Sequence, residues 1–134
     1  MSDPIVAAVD IGTNSTKLLV SGPGLRHFET IDTRLGEHVG RQHRFEDAAI
    51  GRTLATLRAY REAADRFGVS RLAAVATSAT RDAQNRDVFL DAATEELGTR
   101  PVVLSGADEG RLAFRGALSN LPAVERPIVV LDIG

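Results

Sequence analysis

The chain has 134 residues, enough for one hydrophobic core and so for one domain. Its apolar share of 43% and charged share of 25% are those of an ordinary globular protein, and a net charge of −2 gives no bulk attraction for nucleic acid or anionic lipid. The absence of cysteine excludes disulfides, thiolate zinc sites and a cysteine nucleophile and fits a reducing cytoplasm. The N-terminal Met-Ser-Asp-Pro has neither the basic nor the apolar stretch of a signal peptide or membrane span.

Ile5 to Val9 is short and β-branched, Gly12 and Asn14 are turn formers, and Leu18 to Val20 resumes the apolar run, which predicts a hairpin around a polar loop. Gly22-Pro23-Gly24 makes a second turn, and Leu25 to Asp32 alternates as a third strand with one wet face. Thr33 to Arg44 has no period and reads as a surface loop. Ile50, Leu54, Leu57, Tyr60, Ala64 and Phe67 then share one helix face, with Gly68 past its end. Arg71 to Ala76 reads as a buried strand and Thr77 to Ala83 as a polar loop. Asn85 is placed to cap a second helix carrying Phe89, Ala93 and Leu97 and closing at Gly98. Pro101 to Leu104 is a further strand. Ser105 and Asp108 have capping-box spacing for a third helix to about Leu118, and Ile128 to Leu131 is a last strand. The order βββαβαβαβ describes an α/β architecture with a mixed sheet.

In such a sheet, ligands gather beyond the carboxyl ends of the parallel strands. Four polar clusters follow strands: Asp10 to Thr16, Thr77 to Asp82, Ser105 to Glu109, and Asp132-Ile-Gly134. In the first, Gly12 permits close approach of a ligand, and Thr13, Asn14, Ser15 and Thr16 offer hydroxyl, amide and main-chain donors suited to phosphate oxygens. Asp10 beside such donors would repel an anion unless a cation such as Mg²⁺ lies between them. An ordinary hairpin with a polar turn accounts for the same residues. The chain ends on the tripeptide that also spans Asp10 to Gly12, just as a turn begins, and so reads as a fragment of a longer protein. His27, His38 and His43 lack zinc-ligand spacing, Ser78 and Ser105 lack a nearby base, and no P-loop motif is present.

Ala8-Val-Asp-Ile-Gly-Thr-Asn-Ser15, Ala76-Thr-Ser-Ala-Thr-Arg-Asp-Ala-Gln-Asn85, Leu104-Ser-Gly-Ala-Asp-Glu-Gly-Arg-Leu-Ala-Phe-Arg-Gly116 and Val129-Val-Leu-Asp-Ile-Gly134 resemble, in order, the motifs of the exopolyphosphatase and guanosine pentaphosphate phosphohydrolase (Ppx/GppA) family. The first loop alone is shared in outline with sugar kinases, actin and heat-shock chaperones. A kinase reading fits the Ser105 to Gly116 motif poorly.

The resemblance implies an actin-like, ribonuclease H-like fold of the ASKHA superfamily, with residues 1–134 as the first domain of a two-domain phosphatase cut at its second phosphate loop. It also implies a hydrolase that releases terminal phosphate from inorganic polyphosphate or guanosine pentaphosphate, with Mg²⁺ as cofactor. A binding module that senses such anions without turning them over is the alternative.

By the same resemblance Glu109 is the catalytic carboxylate that deprotonates the attacking water, and Arg81 pairs with phosphate oxygens. Gly12, Thr13, Asn14 and Ser15 bind phosphate, and Asp10 and Asp132 stand around the metal. Acids at 108 and 109 would equally offset a helix dipole, and Arg81 would equally serve as a solvated loop arginine. The family's Glu-Glu-Ala is Asp108-Glu-Gly110 here, which loosens the helix start by up to about 1 kcal/mol. Residues 1–134 alone are expected to show little or no turnover, because a cleft needs two walls. The apolar edge of the cut strand suits pairing with a second copy as a homodimer.

Overall fold

The computed structural model describes residues 3–119, 121–122 and 128–131. Strands β1 (Val6–Ile11), β2 (Thr16–Gly22) and β3 (Leu25–Ile31) form two successive hairpins. After the one-turn helix α1 (Val39–Gln42) and the long helix α2 (Asp47–Arg66), strand β4 (Arg71–Ala76) pairs parallel with β1. Helices α3 (Ser78–Asp82) and α4 (Arg86–Leu97) lead to the two-residue strand β5 (Val102–Val103), parallel to β4, and α5 (Gly106–Ser119) follows. The sheet is five-stranded and mixed, in the order β3-β2-β1-β4-β5.

Alternation along the strands decides what each face does. Val9 and Ile11 of β1, Leu18 and Val20 of β2, and Ala74 and Ala76 of β4 point to one side and are buried there. Against them pack Leu57, Tyr60, Ala63 and Ala64 of α2 and Phe89, Ala93 and Leu97 of α4. Phe45 meets Phe89 edge to face at 5.3 Å. Asp10 and Lys17, directly opposite in the β1–β2 register, fall on the other side of the sheet, so the strand period alone delivers an acid and a base together.

Helices α2 and α4 stop ahead of Gly68 and Gly98, both at positive φ, as the sequence implies. Four expectations are corrected. Thr33 to Arg44 is no surface loop: Leu35 and Val39 are buried, and the segment runs beneath the β1–β2 loop. Its aperiodic sequence hides this because two apolar anchors and backbone hydrogen bonds hold it, with Arg34, His38 and His43 in left-handed conformations. The polar stretch after β4 forms α3, since Thr80 and Arg81 N–H groups bond back to the Thr77 carbonyl. Asn85 makes no cap hydrogen bond. Its amide instead accepts from Phe45 N–H at 2.8 Å and donates to the Phe45 carbonyl at 3.1 Å, clipping two distant segments together. Ile128 to Leu131 carries no strand, and Val129 and Leu131 are exposed, because no neighbouring strand offers them a ladder among the described residues.

Tyr60 ties α2 to the hairpin by donating its hydroxyl to the Thr16 carbonyl at 2.8 Å. Tyr60→Phe is expected to cost about 1 kcal/mol at neutral pH, measured by urea unfolding. Burial, and secondarily the charge of Glu29, pushes the Tyr60 phenol up to about 12 from 10.0. Its contribution is therefore whole below pH 10 and declines as pH rises toward 12, because the unfolded chain gives up the proton first. The Phe variant should lack that part of the alkaline loss of stability.

Candidate active site

Beyond the ends of β1 and β4 lies a cleft of about 360 Å³. The β1–β2 loop, Gly12 to Ser15, forms one side, Thr77 and Ser78 at the start of α3 another, and Glu109 of α5 a third, with Asp10 and Lys17 also on the wall.

The loop is held by its carbonyls. Gly12 N–H donates to the Ser15 carbonyl at 3.0 Å, closing the four-residue connection. The Thr13 and Asn14 carbonyls accept from Gly36 N–H at 2.9 Å and Arg34 N–H at 2.8 Å. Among the described residues, no hydrogen bond engages the N–H groups of Thr13, Asn14 or Ser15. The acceptors are thus turned to the supporting segment while the donors stay uncommitted, an arrangement suited to an anion. Thr13 Oγ1 lies 2.9 Å from Ser78 Oγ, fixing the loop to α3.

Gly36 is the supporting residue that sequence reasoning missed. A Cβ there would run into Thr13 Cγ2 and come within 3.0 Å of Ala79 Cβ. Thr13 cannot swing aside without losing Ser78. Gly36→Ala is therefore expected to destabilise by about 1–3 kcal/mol and to weaken anion binding. Thermal melts and phosphate-competition binding would check both. The only sequence signal for this role was a glycine in a segment with no periodicity. Lys17 was likewise missed as a cleft residue, although it is the only lysine, whereas Ser78 belongs to the Thr77 to Asp82 cluster expected there.

Glu109 stands in the first turn of α5, its N–H donating to the Ser105 carbonyl at 2.9 Å. The neighbouring Asp108 has a different task. Ser105 Oγ accepts from Asp108 N–H at 3.1 Å and donates to the Asp108 carboxylate at 2.7 Å, and Asp108 also receives Arg111 at 3.0 Å. The Ser105 hydroxyl first, and Arg111 with it, holds Asp108 below the usual carboxylate range. The cap therefore consumes Asp108, while Glu109 faces the cleft.

Arg81 does not line that cleft. Its Nη1 donates to the Leu104 carbonyl at 2.7 Å and to Glu109 Oε2 at 2.9 Å, from behind the carboxylate. Gly12, Thr13, Asn14, Ser15, Asp10 and Glu109 are thus brought to one cavity and Arg81 to its rear, whereas Asp132 lies outside the described residues.

Asp10 and Lys17 are 3.8 Å apart, both about half exposed. Among the described residues, no three His, Asp or Glu side chains cluster as a metal cage. Mg²⁺ needs no such cage, since it keeps several waters and takes one or two carboxylates plus substrate oxygens. Asp10 on the wall of a hydroxyl-rich cleft fits that donor set.

The family model described as "Ppx/GppA phosphatase family" matches residues 25–134. The chain is 41% identical over 143 residues to Exopolyphosphatase 2 of Mycobacterium tuberculosis, covering 96% of this chain and 45% of that protein. Among solved structures, the Aquifex aeolicus Ppx/GppA family member superposes with a TM-score of 0.80 at 31% identity, over 89% of this chain and 40% of that one. An exopolyphosphatase from Cytophaga hutchinsonii gives 0.80 at 29% identity, over 88% and 39%. The chain therefore spans a little under half the length of these relatives, and its fold is the actin-like α/β fold with a mixed five-stranded sheet. The match across residues 25–134, on a fold whose β1–β2 loop and Glu109 line one cleft, places the chain in the Ppx/GppA phosphatase family.

Proposed function

We propose that the chain is the first domain of a longer, two-domain hydrolase that releases terminal phosphate from inorganic polyphosphate, with guanosine pentaphosphate as a second candidate substrate. The observation carrying this reading is that the uncommitted donors of Thr13, Asn14 and Ser15 and the carboxylate of Glu109 line one cleft. The amides and hydroxyls of the loop, with the Lys17 ammonium, grip the oxygens of the terminal phosphoryl group. The Glu109 carboxylate accepts a proton from a water whose oxygen attacks the phosphorus, and the bridging P–O bond breaks with its electrons leaving on the shortened chain.

Asp10, with Asp132, would hold Mg²⁺, which when bound screens the charge of adjacent phosphates. Asp10 otherwise lies near Lys17, both half solvated, so the ammonium can turn to a bound anion. The exopolyphosphatase relatives support polyphosphate over the nucleotide. Among the described residues, no helix is long and apolar enough to cross a membrane, and the reading needs none.

The test is phosphate release by the full-length protein with Mg²⁺, using polyphosphate and guanosine pentaphosphate in parallel and measuring binding of each separately. Stepwise release of orthophosphate upholds the proposal. Binding of either anion without release would make the protein a sensor, and neither binding nor release would remove both readings.

A further inference from the structure

We infer that Arg81 is a positioning residue: it aims the Glu109 carboxylate at the cleft and does not itself grip the phosphate. The inference rests on the proposed role of Glu109 as the base. Its observations are separate from that role. None of the described residues of α5 is buried, and Ala113, Ala117 and Leu118 are only partly covered, so few apolar contacts hold its first turn in place. What joins it to the body of the domain at Glu109 is Arg81, on α3. A single nitrogen, Nη1, donates both to the Leu104 carbonyl at the end of β5 and to Glu109 Oε2, at 2.7 and 2.9 Å.

Arg81 is itself fixed. Its N–H bonds to the Thr77 carbonyl at 3.2 Å, and its own carbonyl accepts Arg86 Nη1, also at 3.2 Å. The Arg81 side chain is 30% exposed and the Glu109 side chain 37%, so the pair is partly sheltered from solvent. Among the described residues, the ion pair engages only Oε2 of Glu109. Oε1 is left to take a water's proton. Arg81 does not line the cleft, and the nitrogen nearest Glu109, Nη1, is already spent on these two partners.

The two roles separate kinetically in the full-length protein. A phosphate-gripping arginine, when removed, raises KM. A positioning arginine lowers kcat, because misplacing a catalytic group by about 1 Å costs on the order of 10²-fold. Arg81→Ala is expected to lower kcat for phosphate release about 10- to 100-fold with KM within about twofold, and Arg81→Lys to recover part of the loss.

In the Glu109→Gln background, Arg81→Ala should cost no more than about threefold further, because both changes remove one function. Independent of turnover, amide hydrogen exchange across residues 106–119 should quicken in Arg81→Ala while the thermal midpoint stays within a few degrees. A raised KM, or a full additive loss in the double variant, would overturn the inference in favour of direct phosphate binding. If Glu109→Gln kept full turnover, the catalytic reading would fall. Exchange would still judge the tether, upheld if α5 loosens and ended if it does not.

Discussion

Glu109→Gln is expected to lower the turnover of the full-length protein on polyphosphate about 10²- to 10⁴-fold, the usual worth of a positioned general base. That range corresponds to about 2.7–5.4 kcal/mol of transition-state stabilisation. The substitution is nearly isosteric, and the glutamine carbonyl can still accept from Arg81, so the tether seen at 2.9 Å is preserved while the basic oxygen is lost. The sign of the binding change is informative. Glu109 places a negative charge in a cleft meant for a polyanion, so neutralising it should leave KM unchanged or lower it. A fall in kcat with a flat KM is the signature of a group that acts only in the transition state, and a falling KM would add relief of ground-state repulsion. An unchanged rate, measured as orthophosphate released per minute at saturating polyphosphate, would take Glu109 out of the mechanism.

The parts of this molecule written in local pattern were legible in its sequence. The two hairpins, α2 and α4 announce themselves by alternation, by a 3.6-residue stripe and by glycines past their ends. So did the Ser105 cap, whose hydroxyl takes the Asp108 N–H as the spacing implied, although the Asp108 carboxylate returns to that hydroxyl and not to the Ser105 N–H.

Residues whose roles depend on distant partners were not legible. Gly36 matters because Thr13 lies against it, and Asn85 because Phe45 does; neither neighbour is close in sequence. Arg81 illustrates the limit most clearly. Its motif pointed to the site, yet only the fold reveals that its guanidinium turns toward Leu104 and Glu109. Asp108 and Glu109 are adjacent acids that residue type alone leaves equivalent at a helix start, although the Ser105 spacing set the cap on Asp108 and the resemblance set catalysis on Glu109. The helix start divides them, by spending one on Ser105 and Arg111 and turning the other to the cleft.

Gly12→Ala should impair the same activity by a different route, with kcat/KM down on the order of 10²-fold. A Cβ at Gly12 would lie 2.8 Å from the Ser15 carbonyl oxygen, which is backbone and cannot rotate away. That oxygen also accepts the Gly12 N–H, so relieving the clash breaks the bond that closes the loop. The strain cannot spread evenly, since the Thr13 and Asn14 carbonyls are pinned to Gly36 and Arg34. The donors of Thr13, Asn14 and Ser15 must shift together, and KM should rise as kcat falls. Overpacking of this kind also costs about 1–3 kcal/mol of stability, so activity loss alone would be ambiguous. Gly24→Ala resolves it. Gly24 sits at φ +66 in the β2–β3 turn with nothing within 4 Å of its would-be Cβ, so alanine there strains the backbone by about 1 kcal/mol without touching the cleft. If both variants lost stability but only Gly12→Ala lost kcat/KM per folded molecule, the loop would be the anion grip. Equal losses in both would make it an ordinary hairpin turn.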